Sequence, residues 1–265
     1  MLVNSVVIVL REVLEAALMI SVLLAISRFL GSSARWVAVA LTLGLLGAAA
    51  YGFFLDPVSE FFDGVGQELL NAFLQFALCG VLAVIVFLIA RQHREPREHD
   101  PVLPVLMAAA VVLAITREGS EVLIYVTGFV QINNFLSSVG LGSIAGASIG
   151  FSIGVLFYYL LLALPKRRML MISLVLLSLT AAGMAAQATR LLIQADWLSA
   201  AGALWNTSGV LPEDSLPGQL LYALIGYEAT PSAIEVGFYA ASLAVMATSI
   251  CVGWAICGNR TASPQ

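Results

Sequence analysis

Two short stretches of this sequence carry the side chains best suited to chemistry. Arg11-Glu12-Val13-Leu14-Glu15 and Arg117-Glu118-Gly119-Ser120-Glu121 share the pattern R-E-x-x-E, 106 residues apart. On a helix turning about 100° per residue, the Arg and the second Glu stand about 40° apart, and the two Glu about 60° apart. Each copy therefore sets two carboxylates on one face, with a guanidinium in reach of the second. Ion pairing alone needs one acid per base. Four Glu less two Arg leave a surplus of two negative charges, which suits a cation. Carboxylate oxygens are hard donors that favour Fe3+, Mg2+, Ca2+ or Mn2+ over Cu(I). The spacing does not choose among these metals. Charge pairs that merely pin two helices together are the alternative.

The rest of the chain decides what these charges face. Of its 265 residues, 60% are apolar and 11% charged, and the mean hydropathy is +0.98. Soluble domains run near 25% charged and about 45–50% apolar. The composition excludes a cytosolic enzyme, a nucleic-acid binder and a disordered chain, and leaves a multi-pass helical membrane protein. A net charge of −4 offers nothing to DNA or RNA. An ionised side chain at the bilayer centre costs about 2.5–3.5 kcal/mol, so the six motif charges would cost roughly 15–20 kcal/mol unpaired. The two motif helices are expected to face each other or a watery cavity. Cys79, Cys251 and Cys257 lie in apolar runs and read as packing residues. His93 and His99 sit in a charged loop and suggest no zinc site. The N-terminus has no basic n-region, and Arg11, Glu12 and Glu15 interrupt what would be a signal's apolar core.

Uncharged runs at 36–55, 69–90, 169–189 and 236–259 each suffice for a hydrocarbon core that needs about 20 residues. The run 122–165 is too long for one crossing; the polar stretch 131–138 divides it and leaves a helix over 141–164. Helices over 3–27 and 102–128 carry the motifs. The expectation is an all-α integral membrane protein with seven transmembrane helices in one domain, 1–265. Half one covers 1–100 and half two 101–195, an outer loop follows over 194–232, and the seventh helix is 233–258. With three spans per half, the motif helices run in opposite senses, as in two inverted repeats with a site near the midplane. The first motif lies about nine residues into its span and the second about sixteen, so the register is imperfect. Arg28, Arg35, Arg91, Arg94, Arg97, Lys166, Arg167, Arg168 and Arg260 all fall on one side, and Asp56, Glu60, Asp63, Glu68, Asp196, Glu213, Asp214 and Glu228 on the other. The positive-inside rule places the N-terminus outside and the C-terminus in the cytoplasm. Gly142, Gly146, Gly150 and Gly154 form a small-residue stripe on span five, suited to internal packing or, alternatively, to a homo-oligomer contact. Span two has a weaker version in Gly44, Ala48 and Gly52. Within the last outer loop, 218–225 can form a short interfacial or re-entrant helix, with a polar loop as the alternative.

Paired R-E-x-x-E motifs on spans one and four of a seven-span protein resemble the oxidase-dependent iron permeases, which include fungal high-affinity permeases and the membrane subunit of bacterial Efe-type uptake systems. The companions agree. Gly66-Gln67-Glu68-Leu69 resembles the family's Q-E-L segment. Ala182-Gly183-Met184-Ala185-Ala186 through Arg190 resembles the end of its sixth span, and Leu204-Trp205-Asn206-Thr207-Ser208 its L-W-D-x-S stretch. Gly226-Tyr227-Glu228-Ala229-Thr230-Pro231-Ser232 with Glu235 resembles its G-Y-x-A-x-P-S segment. The resemblance implies that Glu12, Glu15, Glu118 and Glu121 handle iron, with Arg11 and Arg117 organising them and Glu68 completing the site. It implies that Glu213 and Asp214 are outer acidic residues that receive the metal, unless they are solvated loop charges, and that Arg190 and Glu235 support the site or anchor an interface. Val13 stands where the family usually has Gly, and Asn206 where it usually has Asp.

By this resemblance the chain is a cell-membrane importer of iron, most naturally in a bacterial inner membrane, and not an enzyme. It takes Fe3+ made from Fe2+ by a separate extracytoplasmic oxidase or peroxidase. Iron is cargo, and no permanent cofactor is expected. Lead or another divalent ion is the alternative cargo, and a non-transporting metal sensor the alternative function. An intramembrane metalloprotease would need a motif such as H-E-x-x-H, which the sequence lacks.

Overall fold

The computed structural model describes residues 2–31, 34–92, 101–129, 136–199 and 202–260. His93, His99, Arg94, Arg97 and the 131–135 part of the polar divider lie outside the described residues, as do the side chains of Asp56, Asp63, Cys257 and Arg260. The regular elements of the described chain are helices, and a single antiparallel bridge joins Ala203 to Ser232. The long helices are α1 (Leu2–Phe29), α2 (Arg35–Phe53), α4 (Gly66–Gln92), α5 (Val102–Gly128), α6 (Leu136–Leu162), α7 (Lys166–Gln194) and α9 (Ala233–Arg260). Two short ones, α3 (Leu55–Glu60) and α8 (Leu216–Ile225), lie in the connections. Every expected span coincides with a long helix, within a few residues at each end. Six of the seven, α1 excepted, are long and apolar enough to cross a membrane. Helix α1 has 28 residues, but Arg11, Glu12, Glu15 and Arg28 interrupt it.

Local chemistry sets the ends. Pro165 precedes α7 and Pro101 precedes α5, positions where a missing N–H costs nothing. Gly31 adopts φ 71° just beyond α1, a left-handed conformation that glycine tolerates. Ser215 caps α8 by accepting from the Gly218 N–H at 3.1 Å. Gly226, at φ 66°, closes that helix by donating its N–H back to Leu221 and Tyr222 carbonyls.

Packing does not put the two motif helices in broadest contact. Helix α1 lies mainly along α6, and α5 mainly along α2; α1 and α5 meet over a shorter stretch. The span-five glycines explain the first pair. A Cβ at Gly142 would stand 2.7 Å from the Leu2 carbonyl oxygen, and one at Gly146 2.5 Å from that of Val6. Added Cβ atoms at Gly150 and Gly154 would meet Val13 and Ala17. The stripe is thus taken by α1 of the same chain and offers no free face to a second copy. The homo-oligomer contact expected there as an alternative is not formed by these residues, because close backbone approach within the chain already uses them.

The α1–α6 contacts reappear between α5 and α2. Gly150 faces Val13, and Ala48 faces Gly119; Gly154 faces Ala17, and Gly52 faces Leu123; Gly146 meets the Val6 carbonyl, and Gly44 meets the Val112 carbonyl at 3.4 Å, beyond its nearer neighbour Ile115. The shift is constant: 119 − 13, 123 − 17 and 112 − 6 are each 106, while 150 − 48, 154 − 52 and 146 − 44 are each 102. One exchange breaks the likeness. Val13 opposes Gly150, whereas Gly119 opposes Ala48. The bulk at Val13 is accommodated by the absent side chain across from it.

The buried apolar cluster is lopsided. It takes Met19–Ile26 from α1, Leu78–Ile89 from α4, Leu103–Ala114 from α5 and Met169–Met184 from α7. These stretches all lie toward the end of the bundle where Arg28, Arg91 and Lys166 sit, and the ammonium of Lys166 stands 5.6 Å from the Phe29 ring there. The buried carboxylate, guanidinium and amide side chains lie in the other half.

The carboxylate cluster between α1 and α5

Helical spacing places Glu12 and Glu15 on the buried face of α1, and Arg117 and Glu118 on that of α5. Glu12, Glu15 and Glu118 are 7, 5 and 3% exposed, and one carboxylate oxygen from each lies within 4.8 Å of the other two. Arg117, also buried, bridges the helices. Its Nη1 lies 3.5 Å from the Glu15 carboxylate and pairs with Glu118, while Nη2 reaches Glu121 at 3.1 Å. Ser5 and Tyr125 join the same two helices through a 2.8 Å hydroxyl contact. Three carboxylates less one guanidinium leave the buried group at −2.

Two carboxylates 4.8 Å apart repel by about 3 kcal/mol at an effective dielectric near 20. Pairing relieves only part of this. Glu12 Oε2 and Glu118 Oε2 are buried without a hydrogen-bond partner. Such orphaned oxygens are costly, and either a cation or a proton shared between carboxylates relieves them.

Arg11 serves its motif differently from Arg117. Its Nε lies 3.6 Å from Glu15, and its guanidinium sits 3.7 Å above the Tyr222 ring. Tyr222 comes from α8, which the sequence offered as a possible short helix without assigning it any residue of the site. α8 rests against α1 and α7, and Ala223 packs on Leu14 and Leu18. Gly183 and Gly226 allow the approach: a Cβ on Gly183 would stand 2.6 Å from the Gly226 Cα. The segment therefore folds inward over the first motif.

The remaining expected residues lie apart from this trio. Glu121 is partly exposed beside Arg117. Glu68, in the first turn of α4, lies across Tyr51 from Glu121, and Tyr51 is within electrostatic range of both. Glu213 accepts the Ala229 N–H at 2.6 Å and so clasps the loop between α7 and α9, while Asp214 is exposed. Arg190 pairs with Glu228 and, at 3.1 Å, with Glu235. Glu235 also accepts the Ser232 N–H at 2.6 Å, and the Ser232 hydroxyl accepts the Glu235 N–H at 3.3 Å. This reciprocal capping box starts α9. Arg190 and Glu235 thus anchor α9 to α7 rather than touch the trio. Asn206 bonds the backbone N–H of Ser208, closing a turn.

Taken together, the long apolar helices and the buried ionic group define a multi-pass membrane protein with an acid-rich buried interior. The chain matches the iron permease FTR1 family over residues 2–257 and belongs to that family. It is a transporter and not an enzyme. Similar curated proteins are the ferrous iron permease EfeU of Yersinia pestis, 27% identical over 251 residues covering 86% of each chain, and that of Escherichia coli O6:H1, 28% identical over 257 residues covering 88% of this chain and 89% of the other. No solved structure matches the chain.

Proposed function

We propose that this protein imports iron, and that Glu12, Glu15 and Glu118 hold the ion in transit. The observation that carries the proposal is the buried trio itself: three carboxylates in mutual reach, each with an oxygen that has no hydrogen-bond partner, and too little positive charge to neutralise them. The relatives' names supply the metal. Arg117 holds the trio's geometry by spanning both helices, and Glu121, partly exposed beside it, stands nearer the surface as the ion's earlier contact. Fe3+ suits hard carboxylate oxygens better than Fe2+. In this reading a separate oxidase outside the membrane makes Fe3+ from Fe2+ and passes it on, with Asp214 in the receiving loop.

The same proposal takes α1 as a seventh crossing, with its charges facing inward, and places the N-terminus outside. The constant shifts of 106 and 102 residues support an inverted pair of units, α1–α2–α4 and α5–α6–α7, within one domain. Such a pair lets two halves rock about a shared site.

Uptake of radiolabelled iron into cells tests the reading. Glu15→Ala and Glu118→Gln, expressed at normal levels, should each lose most uptake. Parental rates in both would end the proposal. Uptake of Fe2+ that proceeds unchanged under strictly anaerobic conditions would remove the oxidation step alone. Lead competing better than iron would change the cargo.

A further inference from the structure

One polar feature of the bundle is left unused by the carboxylate trio. Glu68, Asn71 and Gln75 recur at spacings of three and four along α4. On a helix these positions fall within a face about 60° wide, and successive members stand about 5–6 Å apart at Cβ. Asn71 is 4% exposed and Gln75 fully buried. All three present an oxygen that is buried without a hydrogen-bond partner: Glu68 Oε2, Asn71 Oδ1 and Gln75 Oε1.

Helix-to-helix adhesion does not account for them. Gln75 does reach α7, donating from Nε2 to Gln187 Oε1 at 2.9 Å, and buried amides commonly join helices this way. That bond leaves the Gln75 oxygen empty, however, and Asn71 has the same vacancy one turn away. Below Gln75 on the same face, Cys79 contacts the Ser242 hydroxyl at 3.3 Å. Beyond it lie Leu82, Ile85 and Ile89, all buried in the apolar cluster. The three orphaned oxygens thus follow one face of α4, from the partly buried Glu68 to mid-bundle, above an apolar floor.

We propose that Glu68, Asn71 and Gln75 form a second cation site, distinct from the motif carboxylates, which takes a monovalent ion of the sodium type. The argument is one of charge and donor. One carboxylate plus neutral amide oxygens makes a site of charge −1, which balances a monovalent ion. The motif trio with Arg117 carries −2 and suits a multivalent one. Hard oxygen donors in a dehydrated setting favour a small hard cation. A bound ion would give the orphaned amide oxygens of Asn71 and Gln75, one turn apart, the partner they lack. Because this site belongs to the transporter proposed above, its ion is a candidate for driving uptake, although binding there does not depend on what the cargo is.

Thermal unfolding of the purified full chain in nanodiscs tests this. Sodium chloride, titrated against choline chloride at constant ionic strength, should raise Tm saturably. Asn71→Leu and Gln75→Leu should each abolish that rise while keeping the stabilisation given by Mn2+. Glu12→Gln should do the reverse. Should the leucine variants fail to fold, Asn71→Asp keeps the question open to experiment: its added charge should make Ca2+ a stabilising ion where it was not one in the parent. A parent chain indifferent to sodium would overturn the proposal, as would a sodium response that survives in both leucine variants or a Ca2+ response absent from Asn71→Asp. Loss of the Mn2+ response alone would count against the cargo site and leave this one standing.

Discussion

At the scale of single residues, the two motif arginines divide their labour. Arg117 is buried and touches three glutamates on two helices. Arg11 is partly exposed and leans on an aromatic face. A cation over a ring is worth about 0.5–2 kcal/mol, more as water is removed. Tyr222 therefore shares the Arg11 guanidinium with the Glu15 carboxylate, which it meets only at 3.6 Å. Tyr222→Leu should let the guanidinium close on Glu15 and compete with the bound ion, weakening metal affinity by roughly 2- to 30-fold. Tyr222→Phe keeps the ring face and should bind like the parent; isothermal titration with Mn2+ compares the two. The sequence showed the motif glutamates plainly, because two carboxylates three residues apart need only helical geometry to share a face. It could not show Tyr222, whose place is set by a loop folding back from another part of the chain. Nor could it separate Glu68 from the trio, since that depends on which helices pack side by side.

Among the elements, the glycines decide which helices pair. At Gly146 the nearest obstacles to a Cβ are backbone atoms of α1, which cannot rotate away. Gly146→Ala should push α1 off α6 and cost about 1–3 kcal/mol, as overpacking does. Gly140, six residues earlier on α6, has nothing within 4 Å. Gly140→Ala should be neutral or stabilise by about 0.5–1 kcal/mol through helix propensity alone. Thermal unfolding in one detergent ranks the pair, and equal effects would refute the packing argument. Helix positions were legible throughout, since long apolar runs leave few other choices in a bilayer. Helix partners were not. The four-residue glycine rhythm announced a close approach, but nothing along the chain said that α1 would make it.

For the whole molecule, the telling feature is the split between a polar half and an apolar half. Below the ion cluster and the α4 amides, a layer of buried apolar side chains reaches toward the basic end, and an apolar groove lined by Ile20, Leu24, Val37 and Leu41 runs beside it up to Glu12 and Glu118. Transport requires that layer to part. Single cysteines introduced at Leu23, Ile85 and Met107, in a background with Cys79, Cys251 and Cys257 replaced, should resist a small thiol reagent at rest. They should become reactive during iron uptake. Reactivity that is high from the start would mean the seal is not one. Loop charges had already sorted the two ends by sign; the depth to which apolar side chains fill one of them required the packed structure.

The exchange of volume at Val13 and Gly150 reaches further than packing. Val13 follows Glu12 directly, and a side chain seated in a notch fixes the azimuth of its helix. Turn α1 by a single residue and the branched carbons leave their slot, while a carboxylate swings toward hydrocarbon. The valine is a keyway that indexes the ligand beside it, and a relative bearing glycine there must index its own glutamate by some other tooth.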